Sequence, residues 1–114
     1  GPQDDVGAMG EEYRRRRDLL VDGLARLPGI QVQRPAGAFY VYPSVQGVIG
    51  RRLAGRTITD DLVLAEVLLE ETRIAVVPGT AFGTPGFLRL SYATSRSDLE
   101  EALRRLGRLL EGAA

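Results

Sequence analysis

The segment that most restricts the fold is GFLRLSYATS, residues 86–95, because apolar and polar side chains alternate along it. Successive side chains of a β-strand point to opposite faces, so Leu88, Leu90 and Tyr92 are predicted to share one face. Arg89 then points to the other face, from the middle of the strand. The segment therefore predicts a strand with one apolar side, followed by the start of a helix.

A long helical pattern occupies the start of the chain. Apolar residues recur at helical spacing through residues 6–27, and Pro28 ends the pattern. The apolar stripe is interrupted at Arg16 and Arg17. Two explanations stay open: the helix contacts two separate bodies, or the arginines lie along the edge of a single core with their charged ends in water.

Two shorter helical patterns follow. Residues 59–71 begin with a threonine and two aspartates, which are residue types that cap and start helices. The predicted apolar face of this helix consists of Leu62, Ala65, Leu68 and Leu69. A third helix is predicted near Ser97, which forms the S-x-x-E pattern of a capping box with Glu100 and precedes a leucine-rich stripe.

The remaining segments predict strands and one loop. Residues 30–43 read as two strands joined by a tight turn at residues 35–37, and residues 73–79 as a short buried strand. Residues 44–59, rich in glycine and arginine, are predicted to form an irregular surface loop. The chain is therefore predicted to have an α+β fold, in which a small mixed or antiparallel sheet is covered on one face by helices and preceded by a long helix.

The composition excludes several classes of function. The 114 residues include no cysteine and no histidine, which excludes zinc fingers, disulfide scaffolds, cysteine nucleophiles and Ser-His-Asp triads, and we predict no metal site. The 15 basic residues balance 15 acidic ones, so charge gives no argument for nucleic acid or a membrane surface. We see no membrane-spanning run and no signal peptide, and we expect a cytoplasmic protein. All 15 basic residues are arginine, so no side-chain amine is available for a Schiff base.

Several conspicuous patterns are given no function. The arginines of residues 14–17 follow two glutamates, so ion pairs on a solvated helix face explain them. The neighbouring carboxylates at residues 60–61 and 70–71 are expected to be solvated. The glycines of VVPGTAFG and RPAGAF are interpreted as turn residues, because neither segment matches a P-loop or a dinucleotide-binding fingerprint.

Arg89 is predicted to need a hydrogen-bonding partner. An arginine among apolar neighbours is costly to bury unless acceptors meet it. From the residues alone two roles stay open: it pairs with an internal carboxylate, or it binds the carboxylate of a ligand through two parallel hydrogen bonds. The residues alone do not name a reaction.

A resemblance to a known family indicates a class of reaction. The motifs PAGAFYVYP, IAVVPGTAFG and GFLRLSYATS occur in that order, after MGEEYRRRRDLLVDGL. Together they resemble the C-terminal small domain of class I aminotransferases, which are pyridoxal-phosphate enzymes of fold type I, and the resemblance covers all but residues 44–59. It implies that residues 1–27 form the helix linking two domains and residues 28–114 the small domain, with the large cofactor-binding domain absent from this chain.

The resemblance also implies roles for individual residues. Arg89 occupies the place of the arginine that binds the α-carboxylate of the substrate. Phe39 matches an aromatic residue close to that arginine, and Gly37 matches the glycine before it, which lets the backbone turn tightly. No catalytic or cofactor-binding residue is assigned to this chain. Pyridoxal phosphate is expected in the full-length enzyme and not on these 114 residues, which we expect to be inactive alone.

The implied activity is transfer of an amino group between an L-amino acid and a 2-oxo acid, in a full-length homodimer. Related enzymes perform β-elimination or cyclisation on the same scaffold, so fold alone does not fix the reaction. A second hypothesis is a stand-alone amino-acid-sensing or interaction domain of the same fold. A reading frame that extends upstream and contains an S-x-x-K motif would favour the enzyme.

Overall fold

The structure, a computed structural model, describes residues 2–33 and 39–113, and of residues 2–9 only the backbone. Within these residues the chain forms three α-helices: α1 (Pro2–Ala25), α2 (Asp61–Thr72) and α3 (Arg96–Glu111). None of the helices in the described residues is long and apolar enough to cross a membrane. The helical pattern predicted at the start of the chain is confirmed as α1, which ends three residues before Pro28.

Short β-strands connect the helices. They are β1 (Tyr40–Val41), β2 (Arg52–Leu53), β3 (Arg56–Thr57), β4 (Val77–Pro78) and β5 (Leu88–Ser91). Strands β1, β5 and β4 lie side by side in that order in an antiparallel sheet, and β2 pairs with β3 in a separate hairpin.

One face of the three-stranded sheet packs against the helices. Leu88 and Leu90 of β5 are buried there, as their alternation with Arg89 predicted. They share a core with Leu24 of α1 and with buried leucines of α2 and α3. The predicted α+β fold, with a small antiparallel sheet covered on one face by helices and preceded by a long helix, is confirmed.

The arginine run on α1 forms ion pairs, as its position after two glutamates predicted. Arg16 Nε donates to Glu12 Oε1 at 3.1 Å, and the Arg16 guanidinium lies 5.3 Å from the centre of the Tyr13 ring. Arg96 of α3 also reaches Glu12, with 2.9 Å between its Nε and Oε1. The hydrogen bond from Arg16, and then the charge of Arg96, hold the pKa of Glu12 below its usual range although burial opposes them. Glu12 therefore joins α1 to α3.

The prediction of an irregular surface loop at residues 44–59 is wrong. Val45, Val48, Leu53 and Ile58 have no exposed surface and belong to the core. The β2–β3 hairpin is closed onto the preceding turn by backbone hydrogen bonds, including Ile58 N to Arg51 O at 2.8 Å. The apolar residues were missed because their spacing of three and five residues matches neither a helix nor a strand.

The predicted apolar face of α2 is also wrong. Leu62 and Leu69 are 46% and 53% exposed, whereas Leu64 and Val67 are almost completely buried. Leu68 is buried, as predicted. Apolar residues occur on every side of this helix, so their periodicity does not define which side faces the core.

Three smaller predictions need correction. The cap of α3 is Ser95 rather than Ser97, since Ser95 Oγ accepts from the Asp98 backbone N–H at 3.1 Å. The first of the two strands predicted in residues 30–43 is reduced to a single bridge between Gln31 and Ser44. The strand predicted at residues 73–79 is limited to the two residues of β4. The turn predicted at residues 35–37 lies outside the described residues.

Candidate functional site

The free face of the sheet carries Arg89 at its centre. Arg89 lies opposite Val77 of β4. On the other side, the register that pairs Tyr40 with Ser91 and Val41 with Leu90 continues to place Tyr42 opposite Arg89. Directly opposite residues of antiparallel strands share a face, so Tyr40, Tyr42 and Arg89 lie on the side away from the helices.

A turn completes this surface. The Gly79–Phe82 turn follows β4, and the Phe82 ring meets the Tyr42 ring edge-on, with 5.8 Å between the ring centres. Tyr40, Tyr42 and Phe82 are 37%, 48% and 36% exposed. We call Tyr40, Tyr42, Phe82 and Arg89 together the aromatic face. It is a cationic group surrounded by exposed rings.

Arg89 lies against an aromatic ring, and its Nε has no acceptor among the described residues. Its guanidinium carbon is 4.5 Å from the centre of the Tyr40 ring, a distance at which a cation is attracted to the face of the ring. Its Nε is buried, and no acceptor meets it in the part of the chain that the structure describes. A buried donor without an acceptor destabilises the fold by about 1–3 kcal/mol. The internal ion pair considered from the sequence has no carboxylate to form it among the described residues.

Phe39 lies at the edge of the sheet, next to α1. Its ring centre is 4.8 Å from that of Tyr13 and 6.3 Å from that of Tyr92, and its side chain is 48% exposed. Its carbonyl accepts from the Tyr92 backbone N–H at 2.9 Å. A contact of Phe39 with a substrate stays a prediction. Gly37 lies outside the described residues.

The three rings of the aromatic face, Tyr40, Tyr42 and Phe82, were not predicted from the sequence to belong to the site. Alternation in the segment AFYVY separates Tyr40 from its neighbour Phe39, but it does not reveal which strand lies beside them. The pairing of β1 with β5 brings Tyr40 over Arg89. Two alternating segments, AFYVY and the segment of β5, could have indicated that Tyr40 and Arg89 share a face. That inference requires the register of the two strands, which the sequence does not give.

The Gly79–Phe82 turn is held from two sides. From the strand side, Gly79 N donates to Phe87 O at 2.7 Å. A Cβ atom at Gly79 would lie 1.9 Å from the carbonyl oxygen of Thr84, so only glycine allows this approach. From the helix side, both the backbone N–H and the hydroxyl of Thr80 donate to the carboxylate of Asp61, at 2.6 and 2.5 Å.

Asp61 is therefore buried, and the expectation of a solvated carboxylate is wrong for this residue. Its side chain is 1% exposed at the first turn of α2, next to Asp60, which caps the helix. Burial disfavours its charge, but the hydrogen bonds from Thr80 and from backbone N–H groups outweigh burial and lower the pKa of Asp61. Asp61 is thus a charged group at neutral pH.

The described residues offer no covalent attachment for pyridoxal phosphate and no metal site. The sequence has no lysine, so the chain does not fit the Schiff-base link that the cofactor forms with an amine. No group of three or more histidine, cysteine, aspartate or glutamate residues that could hold a metal ion occurs in residues 2–33 and 39–113.

Comparisons with known proteins give the family. The family model for aminotransferase class I and II matches residues 2–106. The chain is 46% identical over 108 residues to an aspartate aminotransferase of Streptomyces avermitilis, covering 95% of this chain and 26% of that protein. It is 46% identical over 109 residues to a probable aspartate/prephenate aminotransferase of Aquifex aeolicus, covering 96% and 26%.

Solved structures agree with the sequence relatives. The crystal structure of an aspartate aminotransferase from Rhizobium meliloti matches with a TM-score of 0.93 and 42% identity, covering 100% of this chain and 29% of that one. An aromatic aminotransferase from Pyrococcus horikoshii matches with a TM-score of 0.82 and 38% identity, covering 96% and 27%. The chain therefore belongs to the class I and II aminotransferase family. It spans about a quarter of the length of the curated relatives it matches.

Proposed function

We propose that this chain is the small-domain part of a pyridoxal-phosphate-dependent aminotransferase, and that Arg89 binds the α-carboxylate of its amino-acid and 2-oxo-acid substrates. The observation that carries the proposal is the buried Nε of Arg89, which has no acceptor in the described part of the chain. A substrate carboxylate would supply that acceptor. Residues 1–27 would then link the two domains.

The aromatic face suits a planar, two-point contact. The Tyr40 ring covers one side of the guanidinium and limits its rotation. A carboxylate can then approach in the plane of the guanidinium and accept from two of its nitrogens together, which is the strong form of this contact. Phe39 and Gly37 remain proposed neighbours of the bound substrate.

The cofactor chemistry would come from the rest of the enzyme. Pyridoxal phosphate, when bound, supplies an electron sink for reactions of amino acids. Because the chain has no lysine, the residue that links the cofactor must lie outside these 114 residues. The role of this chain is to bind and orient the substrate, within a longer chain that we expect to form a homodimer.

L-Aspartate is the substrate to test first. Two of the relatives are an aspartate and a probable aspartate/prephenate aminotransferase, and a Thermus thermophilus aspartate aminotransferase of 44% identity has been solved with maleate. Maleate is a dicarboxylate, so it can occupy a site for aspartate without an amino group. We propose a dicarboxylic amino acid as the substrate class.

Steady-state kinetics of Arg89→Lys in the full-length enzyme tests the proposal. An ammonium cannot replace a two-point fork, and loss of such a desolvated contact costs about 2–5 kcal/mol, so kcat/KM should fall by about 30-fold to several thousand-fold. Cofactor absorbance and melting temperature should stay normal. Arg51→Lys, at an exposed position of the β2–β3 region, is the matched control.

Two outcomes would contradict this proposal. A value of kcat/KM that stays within about threefold while the melting temperature falls by many degrees would make Arg89 a structural residue. Binding of an amino acid without cofactor absorbance or amino transfer would support the sensing or interaction domain instead.

A further inference from the structure

A buried charge on the helix side of the aromatic face has no role in the function proposed so far. Asp61 is 1% exposed, and no basic side chain pairs with it among the described residues. Burying a carboxylate is costly unless hydrogen bonds compensate it. Both of its oxygens accept from a single residue, Thr80, through the hydroxyl and the backbone N–H. The carboxylate thus joins that turn to the first turn of α2, whose backbone N–H groups also contribute hydrogen bonds to it.

That turn connects Asp61 to the surroundings of Arg89. Thr80 lies inside the Gly79–Phe82 turn, two residues before Phe82. The Phe82 ring meets the Tyr42 ring edge-on, and Tyr42 lies opposite Arg89 in the neighbouring strand. A displacement of the turn would therefore move the aromatic side of the site without touching Arg89.

The hydrogen bonds that join the turn to neighbouring elements involve Gly79 and Thr80. On the strand side, backbone hydrogen bonds join Gly79 to Phe87 and Thr84, at 2.7 and 2.8 Å. Both bonds hold the first residue of the turn, Gly79, to the segment that follows. Thr80 is the point at which the turn is hydrogen-bonded to α2, and side-chain oxygens of charged groups form stronger bonds than neutral ones.

We propose that Asp61 is a positioning residue of the substrate-carboxylate site. Its carboxylate fixes the Gly79–Phe82 turn relative to α2, and the turn in turn holds Phe82 and Tyr42 beside Arg89. The proposal rests on the proposed function and adds to it a residue that touches neither substrate nor cofactor. It also makes Thr80 the link between the helix and the aromatic face.

Asp61→Asn in the full-length holoenzyme is the test. The amide keeps the size of the side chain but removes its charge, and the Thr80 hydroxyl must reverse from donor to acceptor to meet the new NH2 group. We expect the Kd for maleate to rise between about tenfold and about a hundredfold, because a displaced turn moves Phe82 and Tyr42 beside Arg89. Inhibition by an amine without a carboxylate should be unchanged. A role in stability alone would lower the melting temperature and leave both values unchanged.

Neighbouring variants supply the controls. Asp60→Asn makes the same chemical change one residue earlier, where asparagine caps a helix as well as aspartate does, and it should leave the Kd for maleate unchanged. Thr80→Ser keeps both donors and should bind as the wild type does. Thr80→Val keeps the backbone N–H and removes the hydroxyl, so its Kd should lie between those of the wild type and Asp61→Asn.

The outcomes separate this inference from the proposed function. If Arg89→Lys weakens maleate binding while Asp61→Asn stays within about twofold of the wild type, the positioning role is wrong and the proposed function stands. If maleate does not bind the wild type, or Arg89→Lys binds it equally well, the proposed function itself fails. Should Asp61→Asn not fold, Thr80→Val decides: an unchanged Kd for maleate overturns the positioning role.

Discussion

The guanidinium of Arg89 lies over the Tyr40 ring, with 4.5 Å between the ring centre and the guanidinium carbon. The two residues come from different strands, β1 and β5, so their contact depends on the register of the sheet. An aromatic ring in this place restrains the plane in which a carboxylate must approach. The contact therefore orients the guanidinium as well as attracting its charge.

Replacing the ring should weaken substrate binding. A cation–π contact contributes about 0.5–2 kcal/mol, so Tyr40→Leu should raise the KM for aspartate in the full-length enzyme by about two- to thirtyfold. Tyr40→Phe keeps the ring and should stay close to the wild type. Steady-state kinetics with both variants is the measurement. Equal effects of the two variants would show that the hydroxyl, and not the ring, is the important group.

Gly79→Ala should destabilise the domain. The new Cβ would lie 1.9 Å from Thr84 O, and backbone atoms cannot move away cheaply, so we expect a loss of at least about 1–3 kcal/mol. Hydrogen exchange of the α2 amides in the full-length chain measures it. Gly107→Ala is the control, because its Cβ would lie 3.5 Å from Leu27 Cδ2, an ordinary contact, within a helix that favours alanine. Equal exchange in the two variants would contradict the close approach at Gly79.

The acid stability of α3 should depend on Glu101. Hydrogen bonds from Arg104, and then from Arg105, lower the pKa of Glu101 from 4.5 to about 2. The carboxylate binds fewer protons in the folded chain than in the unfolded chain. Its contribution to the stability of the folded chain is therefore complete above pH 4.5 and is lost as the pH falls towards about 2. Glu101→Gln should lower helix stability at pH 7, and its effect should shrink as the pH falls and disappear below about pH 2. Circular dichroism of the full-length chain across this range is the measurement, with Glu100→Gln as the exposed control; a difference between wild type and Glu101→Gln that grew as the pH fell would contradict it.

Leucine substitutions should separate the two sides of α2. Leu64 is 1% exposed and Leu62 is 46% exposed. Leu64→Ala should destabilise the domain by about 2–5 kcal/mol, whereas Leu62→Ala should stay within about 0.5 kcal/mol of the wild type. Hydrogen exchange of the full-length chain compares them. A larger loss of stability for Leu62→Ala than for Leu64→Ala would support the apolar face of α2 that was predicted from the sequence.

The sequence predicted secondary structure best in segments that are buried on one side, because their apolar residues then recur with a clear period. The alternation of Leu88, Arg89 and Leu90 identified β5 and its two faces, since a register shift would expose every apolar side chain. Val48 and Leu53 were missed because an irregular segment can bury apolar residues without any period. The side of α2 was wrong for the opposite reason, since apolar residues surround that helix.

The site was less predictable than the fold. Arg89 could be singled out because it is a charged residue among apolar neighbours. Whether its Nε has an acceptor depends on which groups surround it in the fold, and the spacing of residues in the sequence does not show that. Asp61 showed the same limit. A carboxylate in the first turn of a helix is usually solvated, but Asp61 is buried and accepts from Thr80, 19 residues further along the chain.

The junction of α1 with α3 has a mechanical consequence. A helix of 24 residues is about 36 Å long, and Arg96 of α3 is paired with Glu12 near its middle. Near its C-terminal end the two helices approach so closely that a Cβ at Gly23 would lie 2.5 Å from Leu103 Cδ1. From Glu12 onward, α1 is thus held to α3 at two places along its length. A displacement of this part of α1 would therefore displace α3 with it.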